Sequence, residues 1–429
     1  MAVGAGRTLA AVLMFALLAA GCAVAPWDAA AFDAPKRLLV ALALGSALWI
    51  ALWWSPRPRW QDLSGPARLL LILTAALGIG VGVSIGLSPQ TRIGIDQGRW
   101  MLLLSSGLWL GASTLLAEAD RRRIGVAAAL VVVLNALLSL AQAAGWGPQF
   151  TLAESGGRFP TGALLGNEAY VALACALLGA AATAAWIGAG HARERWTAAL
   201  LVVLCLATIL VNQQRTSLIA WMVATLVLVL ARYWLSGLRR LLPAVMVLAV
   251  LAVPLLREPV RTALTDPQRV AALEQATTYR IGAWAAAWQM IEARPWTGHG
   301  PGSYALQSQR YRFVAERTLQ VRLRPPPTAT AYANAHQDYL QLAAECGVPA
   351  LIAALLAIGT LLHGLLACVE AAAREGRRDV EALGLLAILV AGAVAALAWF
   401  PLQIPLTALI LLLAAGRAWR RVAALRSAP

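Results

Sequence analysis

Arginine and histidine side chains at the ends of apolar segments are the residues of this sequence best able to perform chemistry. Four positions stand out: Arg158, Arg215, Arg280 and His336. A guanidinium group binds phosphate or carboxylate through paired hydrogen bonds, and an imidazole exchanges a proton near neutral pH. Anion binding and proton transfer are therefore the chemistry that these residue types allow.

Each of these residues also has a structural interpretation. Arg215 lies in a very short link between two apolar segments, where a cation either extends to water or binds an anion. Arg280 lies in an apolar amphipathic stretch, where it could equally mark a solvated face. A single histidine such as His336 is more often structural than catalytic. Taken one at a time, none of these residues decides between the two interpretations.

Motifs for nucleotide or metal chemistry are absent from the sequence. It contains no P-loop, HExxH or GxSxG motif, and no cluster of Asp, His and Cys with metal-ligand spacing. Gly298, Gly300 and Gly302 alternate with other residues, but no strand precedes them, so we interpret them as a turn and not as a nucleotide-binding loop. We therefore expect neither a metal nor a cofactor.

The elements that must position the candidate residues are membrane helices. The chain of 429 residues is 60% hydrophobic and 13% charged, and its apolar residues form blocks long enough to cross a bilayer. Backbone groups in lipid must pair within their own segment, which predicts helices and an all-α, polytopic fold class. We predict about twelve transmembrane helices, near residues 8–26, 37–54, 67–87, 99–117, 124–144, 167–189, 197–212, 216–235, 241–256, 348–369, 381–399 and 402–416.

Basic residues are distributed unequally between the two sets of loops. With the N-terminus inside, the inner loops and the two termini carry 19 Arg residues, whereas the short outer loops carry six basic residues. An excess of basic residues on the inner side is the positive-inside rule. The pattern predicts a multi-pass protein of the bacterial inner membrane with cytoplasmic N- and C-termini. All four candidate residues would then lie on the outer side, which is the periplasm if the cell is Gram-negative.

One outer loop is far longer than a connection requires, at residues 257–347. It predicts a division into nine transmembrane helices at 1–256, a large periplasmic loop, and three further helices with a basic tail at 348–429. Helical periodicity within the loop predicts an amphipathic helix at 265–293 that has Arg280 midway along it. Two further loop helices are predicted, at 303–318 and 335–346.

The net charge of +15 does not indicate a nucleic-acid partner, because the charges lie at helix ends and in the long loop without a continuous basic run. The five cysteines show no metal-ligand spacing, and we expect no disulfide framework. Residues 18–22 resemble a lipoprotein cleavage site that ends at Cys22. An intact first helix is the interpretation that fits the topology, and lipidation of Cys22 stays open.

Taken together, four segments resemble the O-antigen ligase and polymerase superfamily. The most specific is HQDYLQLAAECG at 336–347, which is similar to the family pattern H-N-x-Y-L-x-x-x-x-E-x-G before an apolar segment. Gln337 stands where the family usually has Asn. The other three similar segments are RFPTGALLGNEA at 158–169, RTS at 215–217, and the run from 279 to 303 that contains the alternating glycines. In the segment at 158–169, Glu168 replaces an Asn of the family pattern.

The resemblance implies a metal-independent glycosyltransferase on the outer membrane face. Its donor would be a glycan on undecaprenyl diphosphate, and its acceptor a sugar hydroxyl of lipid A-core. Carried onto this sequence, Arg215 and Arg280, assisted by Arg158, would bind the diphosphate, and His336 would accept the proton of the hydroxyl. The residues that the resemblance assigns to a supporting role are Tyr339, Glu345 and Asn334.

Three other kinds of interpretation stay open. Within the superfamily, an O-antigen polymerase and a protein O-oligosaccharyltransferase share these motifs; one dominant outer loop favours the ligase. A membrane transporter is the alternative of another class, but it requires polar residues at mid-membrane, for which only Asn135, Gln142 and Gln403 are weak candidates. A non-catalytic assembly protein is the third, and loss of His336 would not matter to it.

Overall fold

The computed structural model describes residues 2–25, 32–55, 60, 63–147, 161–233, 237–239, 241–242, 266–277, 280–323 and 332–425. These residues contain fifteen α-helices with defined bounds, one short 3-10 helix and no strand, which confirms the all-α fold class. Eight helices precede the long loop, four lie within it and three follow it. In chain order they are α1 Ala2–Cys22, α2 Asp33–Trp54, α3 Gly65–Gly86, α4 Thr91–Ala112, α5 Glu118–Ala143, α6 Glu168–Gly188, α7 Ala192–Val211, α8 Arg215–Tyr233, α9 Pro267–Ala276, α10 Ile281–Ala293, α11 Ser303–Leu319, α12 Asp338–Cys346, α13 Val348–Arg374, α14 Val380–Ala395 and α15 Pro405–Ala424.

Eight of the described helices are long and apolar enough to cross a membrane, namely α1, α2, α3, α5, α6, α7, α8 and α13. Three further predicted spans also coincide with helices, α4, α14 and α15, although α14 is short and the other two carry charged residues. The predicted span at 241–256 lies almost entirely outside the described residues. Lipid leaves a helix as the only way to pair these backbones, which is why hydropathy located the segments.

Helices α4 and α15 form a close pair in the bundle. A Cβ atom added at Gly416 would overlap the carbonyl oxygen of Leu108, and one added at Gly111 would lie 2.5 Å from the carbonyl oxygen of Leu413. Small residues of this kind let two helix backbones touch, which replaces the hydrophobic effect as the cause of helix association in lipid. The pair joins the C-terminal helix to the first half of the chain.

The bundle has two distinct ends. We call the end that carries 266–277, 280–323 and 332–347 the loop end, and the end at which α15 finishes the tail end. At the loop end, Lys36 at the start of α2 donates hydrogen bonds to the carbonyl oxygens of Ala23 and Leu164, each at 2.9 Å. At the tail end, Arg417 of α15 pairs with Glu118 of α5 at 2.8 Å.

The long loop folds around its own apolar core, which gathers residues from α10, α11 and α12, including Met290, Tyr304 and Ala343. Two serine hydroxyl groups, one within the membrane helix α3 and one just after it, hold this core to the bundle. Ser84 donates to the carbonyl oxygen of Glu345 at 2.5 Å, and Ser88 donates to that of His299 at 2.8 Å. These hydrogen bonds attach the described part of the loop to the loop end of the bundle.

Three local predictions are wrong in their detail. The predicted helix at 265–293 is two helices, α9 and α10, and Arg280 is the residue that precedes α10 instead of lying midway along one helix. The helix predicted to begin at 335 begins at Asp338, so His336 lies before it. The spans predicted at 381–399 and 402–416 are α14 and α15, which leave 396–404 as a non-helical connection. Pro401 and Pro405 explain this break, because proline cannot continue a helix.

Candidate active site

His336 occupies a backbone position that few residues adopt. Its φ is +52°, in the left-handed region, where a residue other than glycine is strained. The next residue, Gln337, caps α12 by accepting a hydrogen bond from the Leu340 amide at 3.0 Å. The substitution of Gln for the family's usual Asn thus keeps an amide side chain at the cap. The cap and the left-handed turn together fix the direction in which the imidazole leaves the chain.

The imidazole of His336 lies against two aromatic rings of the 396–404 connection. Its ring centroid is 5.2 Å from that of Trp399 and 5.2 Å from that of Phe400. Trp399 and Phe400 are themselves stacked, with centroids 4.7 Å apart and an interplanar angle of 16°. Tyr170 of α6 meets Phe400 edge-on at 6.1 Å. The aromatic pair is buried, so it acts as a rigid wall for the half-buried histidine.

The same indole also holds Arg280. The guanidinium carbon lies 4.8 Å from the centroid of Trp399, and Nη1 donates a hydrogen bond to the carbonyl oxygen of Ala398 at 2.8 Å. A cation over an aromatic face is attracted by the negative charge of the π system. Arg280 and His336, which are 56 positions apart in the sequence, are therefore brought onto one tryptophan.

Hydrogen bonds from Asp338 attach the 396–404 connection to the loop. Its amide donates to the carbonyl oxygens of Ala396 and Trp399, at 3.1 and 3.2 Å. Its carboxylate accepts from the Leu402 amide at 2.9 Å and from Nε2 of Gln403 at 3.0 Å. Burial raises the pKa of Asp338 to about 6, although these donors act in the opposite direction. Asp338 thus positions the aromatic pair.

The network continues along α12 to Glu345. Nε2 of Gln403 also donates to Oε1 of Gln341 at 3.1 Å, and Nε2 of Gln341 donates to Oε1 of Glu345 at 3.2 Å. The amide of Tyr304 donates to the same oxygen of Glu345 at 3.2 Å. Burial raises the pKa of Glu345 to about 7. Glu345 therefore anchors α12 to α11, at the end of α12 away from His336.

Replacing the carboxyl group of Glu345 is expected to change how the stability of the protein depends on pH. The folded protein holds the proton of Glu345 up to pH about 7, whereas an unfolded chain loses it near 4.5. The protonated carboxyl therefore stabilises the folded state at low pH, and this contribution is lost as the pH rises between those two values. A shift of this size corresponds to about 3 kcal/mol. We expect Tm of the wild type to fall from pH 5 to pH 8, and to fall less in Glu345→Gln.

The control for this titration is Glu375→Gln, because Glu375 is exposed at the tail end. It should leave the wild-type slope unchanged. Asp338, whose pKa is raised for the same reason, should account for the slope that remains in Glu345→Gln. Equal slopes in the wild type and Glu345→Gln would show that Glu345 is not protonated in the folded protein.

The alternating glycines form a tight turn, as predicted, and their conformation explains their residue type. Gly298, Gly300 and Gly302 have φ of +66°, +101° and +75°. The Gly300 amide donates to the carbonyl oxygen of Glu345 at 2.8 Å, and added Cβ atoms would overlap neighbouring residues at all three positions. His299 within the turn bonds the carbonyl oxygen of Met290 through Nε2 at 2.9 Å. The turn therefore packs against the C-terminal end of α12, and His299 makes a structural hydrogen bond within it.

Arg215 stands at the first position of α8 and is exposed. Among the described residues it has no hydrogen-bond or ion-pair partner. Ala220, between one and two turns further along α8, packs in one buried cluster with Trp399 and Phe400. The structure thus places Arg215 at the loop end, on the helix that borders the aromatic pair, but not in contact with Arg280 or His336.

Arg158 lies outside the described residues, but the segment that follows it is well placed. Thr161 donates a hydrogen bond to Oδ1 of Asn212 at 2.6 Å. Thr161 is three positions after Arg158, and Asn212 is three positions before Arg215. The described chain that begins at Thr161 is thereby joined to the residues just before Arg215.

The polar residues that a transporter would need hold the segment after Thr161 instead. Oε1 of Gln142 accepts from the Ala163 amide at 2.9 Å, and Oδ1 of Asn135 accepts from the Leu164 amide at 3.1 Å. Gln403 is engaged with Asp338 and Gln341, as described above. Asn135 and Gln142 therefore support loop-end backbone, and Gln403 bonds side chains of α12, which provides no support for a transport path.

The three predicted supporting residues differ in what they contact. Tyr339 donates its hydroxyl to the carbonyl oxygen of Ala393 at 2.9 Å, which ties α12 to α14. Glu345 supports the other end of α12, as described above. Asn334 is half-buried, two positions before His336. Tyr339 and Glu345 orient the helix that carries His336.

Sequence reasoning missed the contribution of the 396–404 connection. Hydropathy predicts Trp399 and Phe400 in or beside membrane spans, and no motif predicts a role for Asp338 or Gln341. The available signal was the pair of prolines in an apolar stretch that also contains Gln403. Within the described ranges there is no group of three or more His, Cys, Asp or Glu side chains that could hold a metal ion.

The fold and the site together define a polytopic membrane protein whose loop end combines an imidazole, a guanidinium group and an aromatic pair. Residues 200–355 match the family model described as O-antigen ligase. The match supports the resemblance to the O-antigen ligase and polymerase superfamily that the motifs indicate, and it supports a glycosyltransferase-like ligase or polymerase activity. Arg215, Arg280 and His336 lie within the matched range. No curated protein matches the chain.

Proposed function

We propose that this protein is an O-antigen ligase that moves a glycan from undecaprenyl diphosphate to a sugar hydroxyl of lipid A-core. The observation that carries the proposal is the shared contact with Trp399, which brings Arg280 to 4.8 Å and His336 to 5.2 Å of one ring. An anion-binding group and a proton acceptor are thereby held close together by a buried, rigid side chain. That is the pair of groups which transfer from a diphosphate requires.

In the proposed reaction the acceptor oxygen attacks the anomeric carbon of the glycan. The bond between that carbon and the diphosphate oxygen breaks, and the electron pair leaves with undecaprenyl diphosphate. His336 takes the proton of the attacking hydroxyl. Arg280 and Arg215, with Arg158, stabilise the charge on the leaving diphosphate through charge-assisted hydrogen bonds. Attack from the side opposite the leaving group inverts the anomeric configuration.

The loop end is proposed to face the periplasm. Those basic residues assigned to the inner side that the structure describes, including Arg121, Arg193, Arg374 and Arg417, lie at the tail end. With the tail end in the cytoplasm, this arrangement satisfies the positive-inside rule. It puts His336 and Arg280 on the side where a lipid-linked glycan and lipid A-core would meet, in the bacterial inner membrane.

The acceptor is tested by deleting the gene in its host and separating the envelope glycolipids on a gel. Core-only lipopolysaccharide together with polymerised glycan on the lipid carrier is the result expected of a ligase. Single repeat units attached to the core would replace the ligase with an O-antigen polymerase. An unchanged lipopolysaccharide profile would contradict both the ligase and the polymerase. Protein glycosylation, measured by glycoprotein staining, and transport would then be the functions to test.

Arg280→Ala is expected to lower the rate of transfer by about 10²–10³, the effect of removing one group that stabilises developing charge. The matched control is Arg317→Ala, because Arg317 is an exposed arginine of the same loop, on α11. The rates are measured with purified enzyme and a lipid-linked glycan, and Tm is compared to show that both variants fold. Equal rates for the two variants would remove Arg280 from the site.

A further inference from the structure

A crevice lies at the tail end, the opposite end of the bundle from His336. Its volume is about 750 Å³, and residues of α1, α4, α5, α6, α14 and α15 line it. Its walls are aliphatic and include Leu178, Ile388 and Leu413. Along α5 the lining runs from Glu118 to Val132, which is about 21 Å of helix at 1.5 Å per residue. The hydrocarbon core of one leaflet is about 15 Å deep. The crevice is therefore long enough to hold a lipid acyl chain.

The mouth of the crevice is charged, in contrast to its walls. Arg417 pairs there with Glu118 at 2.8 Å and with Glu381 at 2.5 Å, and these contacts join α5, α14 and α15. Both acidic residues of the mouth are thus bound to the same arginine. The remaining charged residues that line the mouth are Arg121 and Arg122.

Three guanidinium groups at or beside the mouth have no carboxylate partner among the described residues. Arg121 donates to the carbonyl oxygens of Gly111 and Ser113, at 2.8 and 2.6 Å, and Arg420 donates to that of Ser113 at 3.1 Å. Arg122 is exposed and makes no hydrogen bond or ion pair with a described residue. The mouth therefore carries an excess of positive charge that the protein itself does not balance.

We propose that this crevice binds an anionic phospholipid from the leaflet at the tail end. The acyl chain would lie against the aliphatic walls, and the headgroup phosphate would contact Arg122 and Arg121. Guanidinium groups recognise phosphate through paired, charge-assisted hydrogen bonds, and basic pockets between membrane helices suit anionic lipid headgroups. The site is separate from the proposed transfer site, since the two lie at opposite ends of the bundle.

The test uses the full-length protein in detergent, with native mass spectrometry to measure bound phosphatidylglycerol and phosphatidylcholine. The wild type should retain phosphatidylglycerol in preference to phosphatidylcholine. Arg122→Gln should weaken phosphatidylglycerol binding about fivefold. Ala181→Phe, which fills the crevice wall, should weaken it as well, because Ala181 lines the apolar part. Arg193→Gln is the matched control, since Arg193 is exposed at the same end on α7 but does not line the crevice.

Three results would overturn the proposal. Equal retention of the two lipids by the wild type would show that the positive charge at the mouth does not select an anionic headgroup. Equal losses in Arg122→Gln and Arg193→Gln would assign the binding to the general surface charge of the tail end. Displacement of the lipid by inorganic phosphate, with no effect of Ala181→Phe, would identify a free phosphate site in place of a lipid site.

Discussion

His336→Ala is expected to lower the rate of glycan transfer by about 10²–10⁴, the range associated with loss of a general base. The physical reason is that the imidazole is the only group in the proposed mechanism that receives the proton of the acceptor hydroxyl. Arg280 remains against Trp399 in this variant, so donor binding should persist. The expected result is therefore a fall in kcat with little change in KM for the lipid-linked donor, measured with purified enzyme.

The control for this prediction is His191→Ala. His191 is an exposed histidine at the tail end, directly before α7, and it is not part of the proposed site. It should transfer glycan at the wild-type rate. If His336→Ala did so too, with an unchanged pH profile, the proposed proton acceptor would be wrong and a non-catalytic role in glycan assembly would become the better hypothesis.

Gly298→Ala is expected to cause the largest loss of stability among single methyl additions in the loop. Gly298 has a φ of +66°, and an added Cβ would overlap the carbonyl carbon and oxygen of Glu345. Backbone atoms at the end of α12 cannot move away as a flexible side chain could, so the turn must separate from the helix. The combined cost of the left-handed alanine and the overlap is on the order of 3–5 kcal/mol.

Gly376→Ala separates the two contributions to that cost. Gly376 has nearly the same φ, +68°, but nothing lies within 4 Å of a Cβ added there. It should therefore lose only about 1 kcal/mol, the conformational part. The measurement is Tm of both purified variants beside the wild type. Similar Tm values for the two variants would mean that the turn does not hold α12 in place.

The two predictions concern one physical unit. The turn at 298–302 holds the C-terminal end of α12 through Glu345, and the 396–404 connection holds its N-terminal end through Asp338. His336 immediately precedes this helix, so its position depends on both attachments. Gly298→Ala should accordingly reduce transfer as well as stability, although Gly298 takes no part in the proposed chemistry.

The amino-acid sequence alone was enough to predict the described membrane helices, the turn at the alternating glycines and the resemblance to the superfamily. Apolar blocks predict helices because lipid offers the backbone no other partners, and this rule acts within each segment. The motif around His336 is also local, since its residues lie within one short stretch. For these features the information needed was contained in neighbouring positions.

Which residues contact one another in the site could not be predicted from the sequence. Trp399 is 63 positions after His336 and 119 after Arg280, and no periodicity links the three. Hydrophobicity placed Trp399 at the end of a span, whereas the structure ends α14 at Ala395 and turns the aromatic pair toward the loop. The physical reason is that burial of Trp399 and the hydrogen bonds of Asp338 are made between distant segments. Such contacts depend on how helices pack and leave no regular pattern in the chain.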